Sequence, residues 1–489
     1  MNKYFFPLLI ITTLLFACKK DIIENDQSAT LHFSSDTITF DTVFASIGSI
    51  TKTLTIYNRN NFDVKSNIAL LGNSAANFRM NIDGISGNSQ TNIEIPAKDS
   101  IFIFLEVTID PSISNTPYIL SDSLVFTTGT KKQDVDIIAW GQDAYYHTPN
   151  SKIYVDIDDN GDSLFCYPHY INENENWSNT KPHIITGDVI IEENTVLNIE
   201  AGAKIYFHKT HNMKEFYNYY LGIPNRKSAG IIVFGTIKIN GQLGNEVTLQ
   251  GDRLDPWYKD IPGQWDKIWL FKGSINNKID YAIIRNGNIG IHADSASINI
   301  NNTIIENMSS IGVLGQTANI SVTNTLVSKC GQYAVACNIG GTYNFIHCTF
   351  ANYWDYNNRS TPSILLNNYY EGADGNIYVR DLTAANFTNC IIDGSLSTEV
   401  SFQEQELGTF NYTFNHCLIK LDPTISTENT HYKNVIINQS PEFEDNTESD
   451  FHLTEDSPAI DAGEITSVLD DIEGNPRNNT DIGAYEFIE

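Results

Sequence analysis

Along residues 277–419 one short pattern of apolar and polar positions returns six times. Its anchor is a small residue: Ala282, Thr303, Thr325, Cys348, Cys390 and Cys417. The position before it is Tyr281, Asn302, Asn324, His347, Asn389 or His416. Three before it is always apolar (Ile279, Ile300, Val322, Phe345, Phe387, Phe414), and so is two after it (Ile284, Ile305, Val327, Phe350, Ile392, Ile419). The anchors are 21, 22, 23, 42 and 27 residues apart, a period near 22 if the long gap holds two turns. Such a period marks a solenoid rather than a globular core.

Within each unit Ile298 and Ile300 alternate with polar partners, the two-residue period of a strand. Asn301 and Asn302 then end the run, because Asn tolerates left-handed backbone. A third apolar run follows, as in Ile289-Gly-Ile291, Ile311-Gly-Val313 and Tyr333-Ala-Val335. Three short strands in ~22 residues predict the coil of a right-handed parallel β-helix; helical repeats need ~33 residues or more, and the Leu lattice of leucine-rich repeats is missing. Equivalent side chains would stack ~4.8 Å apart. The Asn column then satisfies turn backbone, and the Cys column fills a narrow interior as stacked free thiols.

Two longer coils open the helix. Val189-Ile-Ile191, Val196-Leu-Asn-Ile199 and Lys204-Ile-Tyr-Phe207 are answered by Ile231-Ile-Val233, Thr236-Ile-Lys-Ile239 and Val247-Thr-Leu249. The wording Leu197-Asn-Ile-Glu-Ala-Gly-Ala-Lys-Ile-Tyr-Phe207 resembles the first coils of many bacterial β-helix proteins of pectate-lyase-like fold. Near the end, Ser457-Pro-Ala-Ile-Asp-Ala-Gly463, Asp471-Ile-Glu-Gly-Asn-Pro-Arg477 and Asp481-Ile-Gly-Ala-Tyr-Glu-Phe487 resemble the closing signature of a large set of exported β-helix proteins. An open solenoid end exposes strand edges, so 441–489 is expected to cap it.

Residues 29–143 read differently. Short alternating runs such as Ser100-Ile-Phe-Ile-Phe-Leu-Glu-Val-Thr108 recur between turns every 8–15 positions, which predicts a β-sandwich. Phe40-Asp-Thr-Val-Phe44, the Asn58–Asn61 turn, Ile95-Pro-Ala-Lys-Asp-Ser100 and Ala139-Trp-Gly-Gln142 resemble immunoglobulin-like modules of the ASPM–Hydin type. The resemblance implies a spacer. The expected organisation is therefore all-β: an immunoglobulin-like sandwich over 29–143, a connector over 144–183, the β-helix over 184–440 and the cap over 441–489.

The first residues predict targeting, not fold. Lys3 precedes an apolar run over 5–16, of the length of a signal h-region. Leu15-Phe-Ala-Cys18 resembles a bacterial lipobox, which implies a signal over 1–18, lipidation at Cys18 and a polar tether over 19–28. Lys19 after the Cys points to the outer membrane by the same resemblance. No later run reaches the ~20 apolar residues of a spanning helix, so contact with the membrane is expected through the lipid alone.

Composition narrows the partners. With 30 basic and 59 acidic residues in 489, the formal charge of −29 argues against nucleic acid and anionic membrane surfaces. No His/Cys cluster has zinc spacing. In Asp156-Ile-Asp-Asp-Asn-Gly-Asp162 the carboxylates at positions 1, 3 and 7, with Asn at 5 and Gly at 6, match the first half of a calcium loop, but its closing position is Tyr167; a hairpin with an Asn-Gly turn is the better expectation, and no metal or other cofactor is assigned.

Enzymes on this scaffold need converging acids and bases. Arg285, Lys329, Arg380, Asp280, Asp294 and Asp393 share no column position, and neither Gly-His-Gly nor Arg-x-Lys occurs. His347 and His416 read as Asn substitutes in turns. No catalytic residue is assigned; the expectation is a surface binding or structural module for polysaccharide, and the alternatives are a polysaccharide lyase or hydrolase acting in a groove of the helix, or a protein-binding adhesin. Aromatic insertions over 208–229, 251–269 and 351–382 are the stronger signal, since rings stack on sugar faces. Trp354, Tyr356, Tyr369 and Tyr370, set among polar residues, are expected to be exposed and to bind polysaccharide.

Overall fold

The computed structural model describes residues 29–44, 48–72, 74–109, 118–157, 163–208 and 229–488. Of residues 41–42, 118, 155–157 and 164–166 it describes the backbone alone. Cys18 with the signal and tether, the tip of the Asp156–Asp162 loop and Phe216, Tyr217, Tyr219 and Tyr220 lie outside the described residues. The chain divides into two units, Met1–Ala144 and Tyr145–Glu489.

The first unit is a β-sandwich of two five-stranded sheets. Strand Ser100–Val107 shows why it forms: Ile101, Ile103, Leu105 and Val107 are buried, and the residues between them face out. They meet Leu124, Phe126, Val135 and Ile137 of the opposite sheet in one core. Burying each such side chain contributes about 1.5–3 kcal/mol. Asn58 is buried and donates to the carbonyls of Phe62, Ile95 and Pro96, which pins the turn noted in the sequence.

The second unit is the right-handed parallel β-helix. Each coil crosses three faces. Face A holds strands such as Ile268–Leu270, Ile289–Asp294 and Ile364–Asn367, and face B strands such as Asn277–Asp280, Ser297–Asn301 and Leu382–Thr388. The long strands Ile311–Thr323 and Val335–Ile346 run through both, so A and B join in one 17-stranded sheet. Face C is an 11-stranded sheet from Tyr145–His147 to Ile436–Ile437.

The register places the repeat in single columns. Ile279, Ile300, Val322, Phe345, Phe387 and Phe414 pair in succession. Phe345, Phe387, Phe414 and Tyr432 consequently stack inside the barrel, with ring centroids 4.6, 4.9 and 5.6 Å apart. The position before each anchor is left-handed throughout: Tyr281, Asn302, Asn324, His347, Asn389 and His416 have φ between 44° and 53°. At the anchors Thr303 and Thr325 hydroxyls donate to the carbonyls of Asn301 and Thr323 (2.8 and 2.9 Å). The thiols of Cys348, Cys390 and Cys417 point at the equivalent carbonyls of Ile346, Thr388 and Asn415 at 3.3–3.4 Å. At five of the six anchors a small side chain with one hydrogen to give thus ties the strand end to the turn; Ala282 has none.

Three expectations change. The 42-residue gap is one coil, not two: Thr349 pairs directly with Ile391. The extra chain forms an insertion over 353–363 and a hairpin of Tyr369–Glu371 with Ile377–Val379. The supposed connector already belongs to the helix, because Tyr145–His147, His169–Ile171 and Glu175–Trp177 pair in parallel with the next coil. It escaped the pattern because aromatic rings and His replace Ile and Val at its inward positions. His147 stacks on Trp177 (4.0 Å) and on His183 (5.1 Å), a flat layer over the barrel's opening.

The third change concerns the C-terminal cap. Phe451, Ile472, Ala484 and Tyr485 pack on Leu326 and Ala351, and Leu453, Ala459 and Ile482 on Ile391 and Leu418. These partners are outward residues of face C, so the segment is a strap along the flank. Its backbone and side chains bind the left-handed column: Asn324 donates to Asp470 O (2.7 Å), and Asn389 exchanges bonds with Glu464 N and O. At the barrel's C-terminal end Phe402, Phe410, Tyr412, His431 and Tyr432 pack together instead.

Candidate ligand-binding face

Face A carries the insertions and hence the candidate site. Its outward column runs Trp269, His292, Leu314, Ala336, Leu365. All five are buried at their edges by one another and by flanking chain. Beside them Asp294, Gln316 and Asn338 are in register and part-exposed, and Asn367 pairs with Gln403 further along. The amides are oriented by neighbours: Gln316 Oε1 lies 2.8 Å from His292 Nε2, and Asn367 Nδ2 donates to Gln403 Oε1 at 3.2 Å. Burial and then the Lys267 charge push His292 down to about 4, so it is neutral at pH 7.

Insertions stand at both edges. The segment 252–267 enters face A at strand Ile268–Leu270. Its Trp257 is 63% exposed, and Arg253 lies over the rings of Trp257 (4.7 Å) and Tyr258 (3.7 Å) while bonding Asp255. Gln264 holds the loop by donating to Tyr258 O and Ile261 O, and Trp265, wholly buried, donates to Arg285 O. Gly287 lies under that indole, where a Cβ would sit 2.9 Å from the ring.

The segment 353–363 enters the same edge four rungs on, about 19 Å along the axis. Of the four sequence candidates, Tyr356 is 57% exposed. Trp354 is not exposed: at 6% it is buried against Gly331 with its indole N–H on Asn357 Oδ1, because the surrounding polar residues cap it rather than leave it free. Its ring, 6.0 Å from that of Tyr356, buttresses the exposed one. Tyr369 is half-buried; Tyr370 is exposed at the opposite edge and stacks on Tyr378 at 5.1 Å. The structure thus places all four on the two segments that flank one rung, Ile364–Asn367, with Tyr356 and Tyr370 exposed.

The segment is held by a buried ion pair the sequence did not reveal. Arg359 donates two bonds to Glu399 (2.6 and 2.8 Å) and one to Asn352 O, and Glu399 also accepts from Ser363 N and Leu396 N. Only 40 residues of intervening chain and no shared motif linked them. Nearby, Asp393 accepts from Tyr353 OH (2.9 Å) and lies 3.2 Å from Lys420 Nζ.

The six acids and bases named from the sequence do not converge. Arg285 pairs with Glu306 on face C, and Lys329 donates to Thr447 O of the strap. Asp280 pairs with Lys278 on face B, and Asp294 is on face A. Arg380 follows the hairpin, and Asp393 is buried on face C. Among the described residues no group of three or more His, Cys, Asp or Glu could hold a metal ion. The backbone on either side of the half-calcium loop forms the expected hairpin, Ile153–Ile157 with Ser163–Cys166. The other missed cluster is His147, His169 and His183. Ser178 O takes the His183 Nε2 hydrogen (2.8 Å), which leaves Nδ1 to accept from His147 Nε2 (2.8 Å). Burial and the neighbouring rings push His147 down to about 2, which suits a neutral structural layer.

No family model matches the chain, and no curated protein matches it. Solved structures resemble its backbone. The A-module of the mannuronan C-5 epimerase AlgE6 of Azotobacter vinelandii covers 55% of this chain and 91% of its own, at 9% identity and a TM-score of 0.27. The catalytic unit of the GH87 alpha-1,3-glucanase of Streptomyces thermodiastaticus covers 78% and 87%, at 9% and 0.24. The ASH/PapD-like domain of human CEP192 covers 26% and 91%, at 12% and 0.17. At these scores the likenesses carry no argument about chemistry.

Proposed function

We propose that this chain is a lipid-anchored, extracytoplasmic module that binds an extended neutral polysaccharide along face A. The observation that carries the reading is the pair of exposed rings, Trp257 and Tyr356, on insertions at one edge four rungs apart. Tyr370 stands across from Tyr356, and side-chain amides line the floor between. Rings take the C–H faces of sugars and amides take hydroxyls. The spread of the six charged sequence candidates over three faces favours binding over turnover. The cell envelope, the outer membrane in particular, is the proposed location, with Cys18 as the lipid site.

Affinity electrophoresis of residues 29–489 through gels of neutral and uronate polysaccharides tests this. Retardation by a neutral polymer, weakened about tenfold by Trp257→Ala, Tyr356→Ala or Tyr370→Ala, is expected. Retardation unchanged in all three variants, or none with any polymer, overturns it. Release of shorter products would replace it with a lyase or hydrolase. Cys18→Ala should free the full chain from membranes; retention of that variant refutes the anchor.

A further inference from the structure

The sandwich carries a cleft of its own. On strand Ser100–Val107 the inward residues leave Phe102 and Phe104 outside, 47% and 41% exposed, although nothing in a sandwich core calls for rings there. Asn81 pairs with Phe104 and Arg79 with Glu106 across the neighbouring strand Phe78–Ile82, so all four face the same side. Beside them lies a cleft of about 400 Å³, bordered also by Thr51 and Asn88. That volume is in the range of small-ligand sites.

The lining selects the ligand's chemistry. Arg79 lies 3.3 Å from Glu106, and Thr51 donates to the same carboxylate at 2.5 Å, so the one cation and one anion of the cleft neutralise each other. An ionic ligand would break that pair. Asn81 Oδ1 accepts from Gly84 N and its Nδ2 donates to Ser86 Oγ, and Asn88 donates to Ala75 O; the amides are oriented before any ligand arrives. Their remaining lone pairs and hydrogens, with Thr51 and the Arg79–Glu106 pair, suit hydroxyl groups. Phe104 offers an apolar platform beside them. A neutral molecule with many hydroxyls and one apolar face is a sugar.

We propose that this cleft binds a short neutral saccharide, with a ring of the sugar on Phe104 and its hydroxyls on Asn81, Asn88 and Glu106. The proposal does not depend on the reading of face A. Isothermal titration of residues 29–489 with maltose, cellobiose, lactose and xylobiose, each to about 10 mM, tests it; millimolar affinity for at least one is expected. Phe104→Ala should weaken that binding about tenfold or more, Phe104→Tyr should preserve it, and Trp257→Ala should leave it unchanged. No heat with any of the four disaccharides, or equal affinity in Phe104→Ala, overturns the proposal. Loss with Trp257→Ala and not with Phe104→Ala assigns the sugar to face A and also overturns it. Phe104 is on the surface, so thermal melts of both variants should overlay the parent.

Discussion

Asn389 Nδ2 lies 3.0 Å from His347 Nε2, the equivalent residue one coil earlier, and both hold left-handed backbone. The same relation joins Asn324 to Asn302 (3.1 Å) and Asn434 to His416 (2.9 Å). Each side chain therefore does two things: it tolerates the turn and it ties adjacent rungs. Asn389→Ala should remove bonds to His347 and Glu464 and place a Cβ-bearing residue with no local hydrogen bond in left-handed space. We expect a loss of about 2–4 kcal/mol. Asn389→Gly should recover about 1 kcal/mol of it, the backbone share alone. Urea unfolding of the three proteins measures both; equal stability of the Ala and Gly variants would show the turn is unstrained.

The anchor residue gives a second prediction. Thr325→Val keeps shape and removes the hydroxyl bond to Thr323 O, and should cost about 1–2 kcal/mol. At the equivalent positions the thiols serve instead. Cys330, Cys337, Cys348, Cys390 and Cys417 are free and buried. Burial pushes Cys330 up to about 12 and Cys337 and Cys390 well up, so the thiolate is scarce. Iodoacetamide should leave all five untouched in the folded protein at pH 8 and label them in guanidinium. Labelling of any of the five without unfolding would contradict the dry interior.

Arg359 and Glu399 form a buried pair at 1% and 0% side-chain exposure. Arg359→Met leaves a carboxylate buried with two backbone partners and no counter-charge, and should cost about 3–5 kcal/mol. Glu399→Gln in the same background should restore part of that. If the single substitution costs under about 1 kcal/mol, the insertion that bears Tyr356 is not held by this pair.

Acid should destabilise the helix. Burial holds His147, His292 and His347 at about 2, 4 and 3 in the fold, against an ordinary value of 6.5. Below pH 6.5 the unfolded chain binds protons that the folded chain refuses, so stability falls as pH falls toward the folded values. Between pH 6.5 and 5 each contributes a loss of about 2 kcal/mol. His208 and His452, raised by hydrogen bonds and charge from Asp252 and from Asp450 and Glu473, oppose this in part, since their contribution is present below 6.5 and fades as pH rises. Chemical unfolding at pH 7 and 5 measures the balance. Replacing His147 by Asn should reduce the acid sensitivity; an unchanged pH profile would remove it from the account.

The columns were legible because stacking repeats the same constraint at every rung: the left-handed turn wants Asn or its like, the anchor wants a small side chain, the interior wants Ile, Val or Phe. The sandwich was legible from alternation such as Ile101 to Val107. What escaped lacked repetition. The first rung hides its inward positions behind His147, Trp177 and His183. Arg359 and Glu399 meet only because Thr349 pairs with Ile391. Trp354 misled because polar neighbours can cap a buried indole as readily as surround an exposed one. The closing signature told of a terminal element but not of its course along face C, which depends on outward residues such as Leu326 and Ile391 that a coil alone gives no reason to be apolar.

That course has a consequence for how the chain matures. A barrel of this kind can wind itself up coil by coil as it emerges from a ribosome or a translocation pore. Here the apolar outside of the middle coils stays wet until residues 441–488 arrive and lie down across it. Winding can begin early, but it is sealed late, and a chain stalled before Phe451 would present a long greasy flank to chaperones and proteases.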